Sequence, residues 1–356
     1  METEGISMEE KEIIDLRSDT VTLPTEEMLE ASRHAKLGDD VFGEDPTVNQ
    51  LQEMAAEKIG KEDALLVPSG TQANLVSVMS NCKRGELAIL ESESHIFWYE
   101  VGGVSAVAGV LPWPIESVAG AFSPIELEAA IRPKNIHFPE PALICVEDTH
   151  NRHGGSIITP SQLKAIFEVA KKHSMKLYMD GARIFNAAVG LGVDVKELAK
   201  HVDNLMFSLS KGLCCPVGSI VVGNREFIEK ARKTRKMLGG GMRQAGLIAA
   251  PGIIALEKMV ERLREDHENA KYIAKKLSKI NGVKLSLENV QTNIVSFELE
   301  TRMTDDIFLK KLCEKDVWAL AQAKHKIRLV THFGISREHA ETAVKVIEDV
   351  LKESTS

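Results

Sequence analysis

A lysine follows two hydroxyls at the end of a short apolar run, in Met206-Phe207-Ser208-Leu209-Ser210-Lys211-Gly212. An amine at a strand end among small residues is partly desolvated. Desolvation lowers its pKa and makes it nucleophilic, which suits a Schiff base with a carbonyl. A plain surface lysine after a strand is the alternative. Upstream, Leu177-Tyr178-Met179-Asp180-Gly181-Ala182-Arg183 places a carboxylate at the end of another apolar run. There it can keep a heterocyclic nitrogen protonated, or simply cap the helix that the next residues predict. In Val67-Pro68-Ser69-Gly70-Thr71-Gln72-Ala73-Asn74 a strand leads through small hydroxyl residues into a helix. Backbone N–H groups at such a helix start form an anion site or an ordinary capped helix. The glycines of a dinucleotide fingerprint and the lysine of a phosphate-binding P-loop are absent. His95, after a fourth apolar run, can stack on a ring or move a proton near neutral pH, or serve only as structure.

Taken singly, each piece is weak. They recur in one chain order, each at a strand end, and 31 residues separate Asp180 from Lys211, about one strand–helix unit. A phosphate cradle, a stacking imidazole, a carboxylate for a pyridine nitrogen and a Schiff-base lysine together describe a site for pyridoxal 5'-phosphate.

The elements that must hold these residues follow from the hydrophobic pattern. Apolar runs at Ala64–Val67, Leu87–Leu90, Leu143–Val146, Leu177–Met179, Leu205–Phe207 and Ile220–Val222 alternate with helical patterns. Continuous apolar strands between helices predict an α/β fold with a mostly parallel sheet covered on both faces. Helices are expected after the caps Thr25 and Asp45-Pro46, the second stopping at Gly60. A long helix is expected from about 243 to 279, then a strand at 292–299, a helix at 305–315, a strand at 326–331 and a helix at 336–352. The expected organisation is an acidic tail at 1–12, a large domain at 13–255 that includes the N-terminal segment, and a smaller α+β domain at 256–356.

The chain has 356 residues, 44% of them hydrophobic and 27% charged, so it can bury a large core. A net charge of -8 argues against a nucleic-acid partner, and no apolar run reaches membrane-spanning length. The first twelve residues carry five Glu, unlike a secretory or transit segment. Five Cys argue against a disulfide framework and for a reducing, cytoplasmic compartment.

Longer stretches carry a specific resemblance. They are Asp15-Leu16-Arg17-Ser18-Asp19-Thr20-Val21-Thr22, Gly38-Asp39-Asp40-Val41, Gly43-Glu44-Asp45-Pro46-Thr47, Ser69 to Asn74, Thr149-His150-Asn151, Asp180 to Ala187, Leu209 to Leu213, Pro216 to Ser219 and Lys236 to Gln244. The sequence resembles the low-specificity L-threonine aldolases (L-allo-threonine aldolases), a branch of the fold type I, aspartate-aminotransferase-like pyridoxal-phosphate enzymes. The match is strong over about 13 to 270 and weaker beyond, chiefly at Ile327-Arg328-Leu329-Val330-Thr331-His332.

The resemblance implies retro-aldol cleavage of L-threonine or L-allo-threonine to glycine and acetaldehyde. It makes Lys211 the Schiff-base lysine, Asp180 the partner of the pyridine nitrogen and His95 the stacking residue. Gly70 and Thr71 match phosphate binders, and Ser208, Arg183 and Arg243 join the cofactor set. Ser18, Arg183 and Arg328 match groups around the substrate carboxylate, and His150 a second imidazole near the β-hydroxyl. Arg243 resembles an arginine that reaches a neighbouring subunit's cofactor, which implies a homo-oligomer, a tetramer in the family. The base is left open among His95, His150 and an ordered water.

Two positions depart from the family pattern. Asp148 stands where Asn usually precedes the Thr-His pair, and a charge there would raise the proton affinity of His150. Cys214-Cys215 read as small packing residues. His150 with His153, or Asp266-His267-Glu268, lack a fuller ligand set, so no metal is expected. The basic run Lys230, Arg232, Lys233, Arg235, Lys236 reads as a helix face, partly turned toward the anionic cofactor or substrate, and Gly239-Gly240-Gly241 as a break between helices. The rival readings are another reaction on the same cofactor, such as β-elimination, or a cofactor-binding protein without catalysis.

Overall fold

The computed structural model describes residues 13–353. The expected tail at 1–12 lies outside the described residues. Among the described residues, thirteen strands form three sheets. Seven of them, β2 (Asp63–Val67), β3 (Leu87–Glu91), β4 (Leu111–Ile115), β5 (Pro141–Glu147), β6 (Lys176–Asp180), β7 (Asn204–Ser208) and β8 (Ser219–Gly223), build the central sheet in the order β2-β8-β7-β6-β5-β3-β4. Only β8 runs against its neighbours. The six predicted apolar runs are six of these strands.

Alternate residues of each strand feed two cores. Leu66, Ile89, Val146, Met179 and Phe207 enter one cluster, and Leu65, Val67, Leu90, Cys145, Tyr178 and Met206 enter another on the opposite face. Helices cover both faces, which is why these strands carry no polar alternation. The seventh strand, β4, is the edge. Its sequence Leu-Pro-Trp-Pro-Ile removes two ladder donors, and it is half exposed, so no apolar run announces it.

The expected long helix is Gly246–Ile254 and Val260–Leu277, joined by one wider turn over Ala255–Met259. The apolar clusters change along it. Leu263 belongs to the sheet core, while Ala270, Ile273 and Leu277 belong to a third cluster. That third core lies under an antiparallel sheet made of β9 (Val283–Lys284), β10 (Ile294–Leu299), β12 (Leu320–Ala323) and β13 (Lys326–Val330), in the order β12-β13-β10-β9. Helices Asp305–Cys313 and Arg337–Glu353 complete it. The N-terminal strand β1 (Ile14–Asp15) pairs in parallel with β11 (Val317–Trp318). Ile14 and Leu16 therefore pack into the third core. This pairing carries the segment from Arg17 to Thr22 across to the large sheet, where Thr22 Oγ1 donates to the backbone carbonyl of Lys211 at 2.9 Å. Among the described residues no helix is long and apolar enough to cross a membrane.

Candidate active site

The C-terminal edge of the parallel strands gathers most of the predicted residues, as expected for ligand sites of open α/β sheets. β2 leads to Ser69, whose hydroxyl accepts the N–H of Gln72 and starts helix Gly70–Asn81. A Cβ on Gly70 would lie 3.3 Å from Met206 Cε, 3.7 Å from Ser208 Oγ and 3.8 Å from Ser219 Oγ. Gly70, Thr71 and Ser208 thus meet at a twelve-residue helix's N-terminus, where backbone donors, dipole and hydroxyls suit an anion.

Asp180 closes β6. Its Oδ1 accepts the N–H of Ala182 at 3.1 Å and its Oδ2 accepts from Asn74 Nδ2 at 2.8 Å. The N-cap of the following helix, Ile184–Leu191, is Arg183, so capping is not what the carboxylate does. Asn74 also donates to Glu100 at 2.6 Å and accepts from the Tyr178 hydroxyl at 2.6 Å, and Glu100 meets His95 Nδ1 at 3.0 Å. Burial opposes charge on His95, but Glu100 and Asp180 outweigh it and raise its pKa.

Lys211 follows β7. Burial, then the Arg183 guanidinium, lower its pKa against the opposing pull of Asp180 and Asp19. Arg183 gives Nε and Nη2 to Asp19 at 2.8 and 2.6 Å, both side chains being buried. Burial disfavours the Asp19 charge, yet Arg183 overrides it and holds that carboxyl well below the usual range. Arg328, on β13, reaches across with Nη1 to Asn151 Oδ1 at 2.7 Å and Nη2 to the carbonyl of Arg17 at 3.0 Å. Its Nε is buried without a hydrogen-bond partner. Burial and the nearby Arg183 push its pKa down to about 10. The Arg183 guanidinium disfavours the charge on Arg328, and an anion bound between the two would relieve it. Ser18, beside them, accepts from both the backbone N–H and the hydroxyl of Thr20.

His150 is fully buried in the loop after β5. Its Nε2 lies within hydrogen-bond distance of Glu91 Oε2, at 2.9 Å, and its Nδ1 has no hydrogen-bond partner. Burial lowers its pKa, but Glu147 and Glu91 raise it more. Glu91, His150 and His153 have ligand-type atoms within 4.8 Å of one another, a third member that the His150–His153 spacing did not reveal. Asp148 is buried too, and burial lifts its carboxyl well above the usual range.

Other predicted features sit apart from this cluster. Arg243 is at the surface, its side chain 56% exposed and paired with Asp39 at 2.9 Å. Arg235, from the basic run, is buried against Asp40 and the Leu66 carbonyl. Cys214 and Cys215 are buried in the core, and burial pushes the Cys214 thiol up to about 11. His267 bonds Asn186 at 3.2 Å and Asp266 pairs with Arg262. The sequence reading missed Asp19, Asn74, Glu91, Glu100 and Asn151 as contributors. Asp19 and Asn74 lie within stretches already singled out, but their roles depend on partners more than a hundred residues away.

The model of the beta-eliminating lyase family matches residues 15–300. The chain is 44% identical to low-specificity L-threonine aldolase 1 of Arabidopsis thaliana over 329 residues, covering 91% of this chain and 92% of that one. It is also 44% identical to the low specificity L-threonine aldolase of Escherichia coli K12 over 327 residues, covering 92% and 96%. Among solved structures, a threonine aldolase of Leishmania major superposes with a TM-score of 0.81 at 18% identity, over 95% of this chain and 99% of that one.

Proposed function

Because this chain belongs to the beta-eliminating lyase family, among its low-specificity L-threonine aldolases, we propose that it cleaves L-threonine and L-allo-threonine to glycine and acetaldehyde. It is a carbon–carbon lyase that uses pyridoxal 5'-phosphate. The observation that carries the reading is the strand-edge cluster of Lys211, Asp180 and the Gly70 cradle, with Arg328 and its unpartnered buried Nε opposite.

These residues fit the cofactor. Gly70, Thr71 and Ser208 would take its phosphate, with Arg243 reaching the phosphate of a neighbouring subunit. Asp180 would face the ring nitrogen, held there by Asn74 and Ala182. His95 would stack on the ring, and Lys211 would hold the group through its ε-amine. When bound, the cofactor supplies an electron sink for the carbanion left as Cα–Cβ breaks.

The rest of the chemistry belongs to the chain. Arg328, Ser18 and the Nη1 of Arg183 bind the substrate carboxylate and fix which Cα bond can break. Asp19 keeps the other side of the Arg183 fork occupied, so that guanidinium has one orientation. His150 takes the β-hydroxyl proton at Nδ1. Each imidazole has one nitrogen engaged by a glutamate, His150 Nε2 by Glu91 and His95 Nδ1 by Glu100, so what favours His150 is the division of labour in this reading, with His95 given to the ring and His150 to the β-hydroxyl.

The reading includes a homotetramer in the cytoplasm that breaks down threonine and supplies glycine. Supporting the compartment are the acidic composition and five cysteines, none of them in a disulfide. Product analysis tests the reaction. Glycine and acetaldehyde in equal amounts from L-threonine are expected. Pyruvate and ammonia from L-serine, without aldehyde from threonine, would instead establish β-elimination, the reaction for which the matching family is named.

A further inference from the structure

Glu91 ends β3 and is 1% exposed. Its Oε2 meets His150 Nε2 at 2.9 Å and accepts the backbone N–H of Glu93 at 2.7 Å. Its Oε1 accepts from the Ser117 hydroxyl at 2.9 Å and meets His153 Nε2 at 3.3 Å. The Glu93 N–H can only donate, and the Ser117 hydroxyl and both imidazoles can donate as well, so a carboxylate satisfies all four contacts at once. Burial disfavours that charge, yet the two imidazoles hold the Glu91 carboxyl well below the usual range.

An ionised acceptor at Nε2 decides the tautomer of His150. The ring proton must lie on Nε2, which leaves the lone pair on Nδ1. That Nδ1 is the buried ring atom without a partner. On the other side, His153 lies 4.5 Å from the His150 ring and lines a cavity of about 360 Å³ between the two sheets' lobes, together with Lys284, Ser296 and Lys326. So the carboxylate is bracketed by one sealed imidazole and one that meets solvent.

We propose that Glu91 is a positioning residue that keeps His150 in the Nε2–H form, with Nδ1 aimed as the base for the substrate hydroxyl, and that His153 steadies Glu91 from the cavity side. The proposal rests on the reading that His150 receives the hydroxyl proton. In the step itself, the hydroxyl O–H breaks and an Nδ1–H bond forms. The electron pair left on oxygen closes the aldehyde carbonyl as Cα–Cβ breaks. Glu91 keeps its charge throughout and stabilises the imidazolium, as buried carboxylates do beside catalytic histidines. The groups facing His150 are Glu91 from β3, Glu147 from β5, Asp148 next to it, His153 from its own loop and Asp180 from β6.

The test compares wild-type holoenzyme with Glu91→Gln, Glu91→Asp, His150→Asn and the Glu91→Gln/His150→Asn double variant. Glu91→Gln keeps the side-chain volume and removes the charge. It should lower kcat for L-threonine on the order of 100-fold. KM should stay within about threefold, since no uniform binding contact is lost. The acidic limb of kcat/KM should move down by roughly one pH unit, because a charge that favours imidazolium is gone. Glu91→Asp should restore part of kcat. In the His150→Asn background Glu91→Gln should cost almost nothing more, since both changes disable one unit.

Exchange of the glycine α-hydrogen with deuterated water involves no β-hydroxyl, so Glu91→Gln should spare it. In ¹⁵N-histidine spectra of the holoenzyme, the His150 Nε2–H signal should be present in wild type and shifted in Glu91→Gln. Loss of glycine exchange in parallel with kcat, an unmoved acidic limb, or a full second penalty in the double variant would each overturn the proposal in favour of a structural role. Activity abolished by a chelator and restored by a divalent ion would overturn it in favour of a metal centre. If wild type releases no aldehyde from threonine while the His150 tautomer is as stated, the functional reading has failed and the positioning by Glu91 has not.

Discussion

Replacing Asp19 with Asn probes the contact that ties the N-terminal segment to the site. Asp19 is fully buried and gives both oxygens to the Arg183 fork, at 2.6 and 2.8 Å. Two unit charges about 4 Å apart attract by about 4 kcal/mol at an effective dielectric of 20. Removing one partner of a buried pair costs about 3–5 kcal/mol, because the other charge is left uncompensated. Asn preserves one acceptor but turns an amide N–H toward the guanidinium, so the loss should fall in that range. The pH dependence has a definite sign. The Asp19 carboxyl is depressed in the folded state, so its contribution is complete above the unfolded carboxylate pKa of about 3.9. It is lost only as pH falls through the folded value. The gap between wild type and Asp19→Asn should therefore be constant from pH 6 to pH 8. Urea denaturation at fixed cofactor concentration measures the gap. An aldehyde-coupled assay should show KM for L-threonine raised on the order of tenfold, since a misaligned carboxylate clamp loses about 1.4 kcal/mol per decade. An unchanged denaturation midpoint with an unchanged KM would refute the claim that Asp19 fixes the orientation of Arg183.

Lys211→Ala should abolish turnover of L-threonine, and substantial residual turnover would remove the lysine from its assigned role. Gly70→Ala places a methyl 3.3 Å from Met206 Cε and against the Ser208 and Ser219 hydroxyls, so cofactor retention, followed by equilibrium dialysis, should weaken on the order of tenfold. His267 accepts from Asn186, and burial lowers its pKa to about 4, below the unfolded value near 6.5. Stability should then be complete above pH 6.5 and fall by about 3 kcal/mol by pH 4, a loss that denaturation curves of His267→Asn should not show. Phe308 is fully buried against Phe297 in the third core, and Phe308→Ala should cost about 3–5 kcal/mol by the same denaturation assay.

The central sheet was legible because strands covered on both faces are written as unbroken apolar runs. β4 was not, because an edge strand with two prolines and a half-exposed Trp113 follows no such pattern. Lys211, Asp180, His95 and the Gly70 turn were visible because each stands at the end of a run, where the fold itself delivers ligand-facing residues. The partners that orient them were invisible for the converse reason. Asp19 meets Arg183 across 164 residues, and Glu91 meets His150 across 59. Glu91 looks like an ordinary strand-end acid until β3 and β5 are laid side by side. The wide turn at Ala255–Met259 left no mark either, because its residues keep the apolar spacing of the helices on both sides. His150 and His153 were set aside for want of a third neighbour, which local spacing could not supply.

The most direct test of the central claim fixes the cofactor where it is bound. Purified protein with pyridoxal phosphate should absorb in the ~410–430 nm region, as a lysine-bound pyridoxal does. Borohydride should bleach that band, and peptide mass mapping should place the added pyridoxyl mass on Lys211 alone. The same sample, before reduction, should release glycine and acetaldehyde in equal amounts from L-threonine. A colourless protein that takes up no cofactor, or a label on any other lysine, would contradict the account.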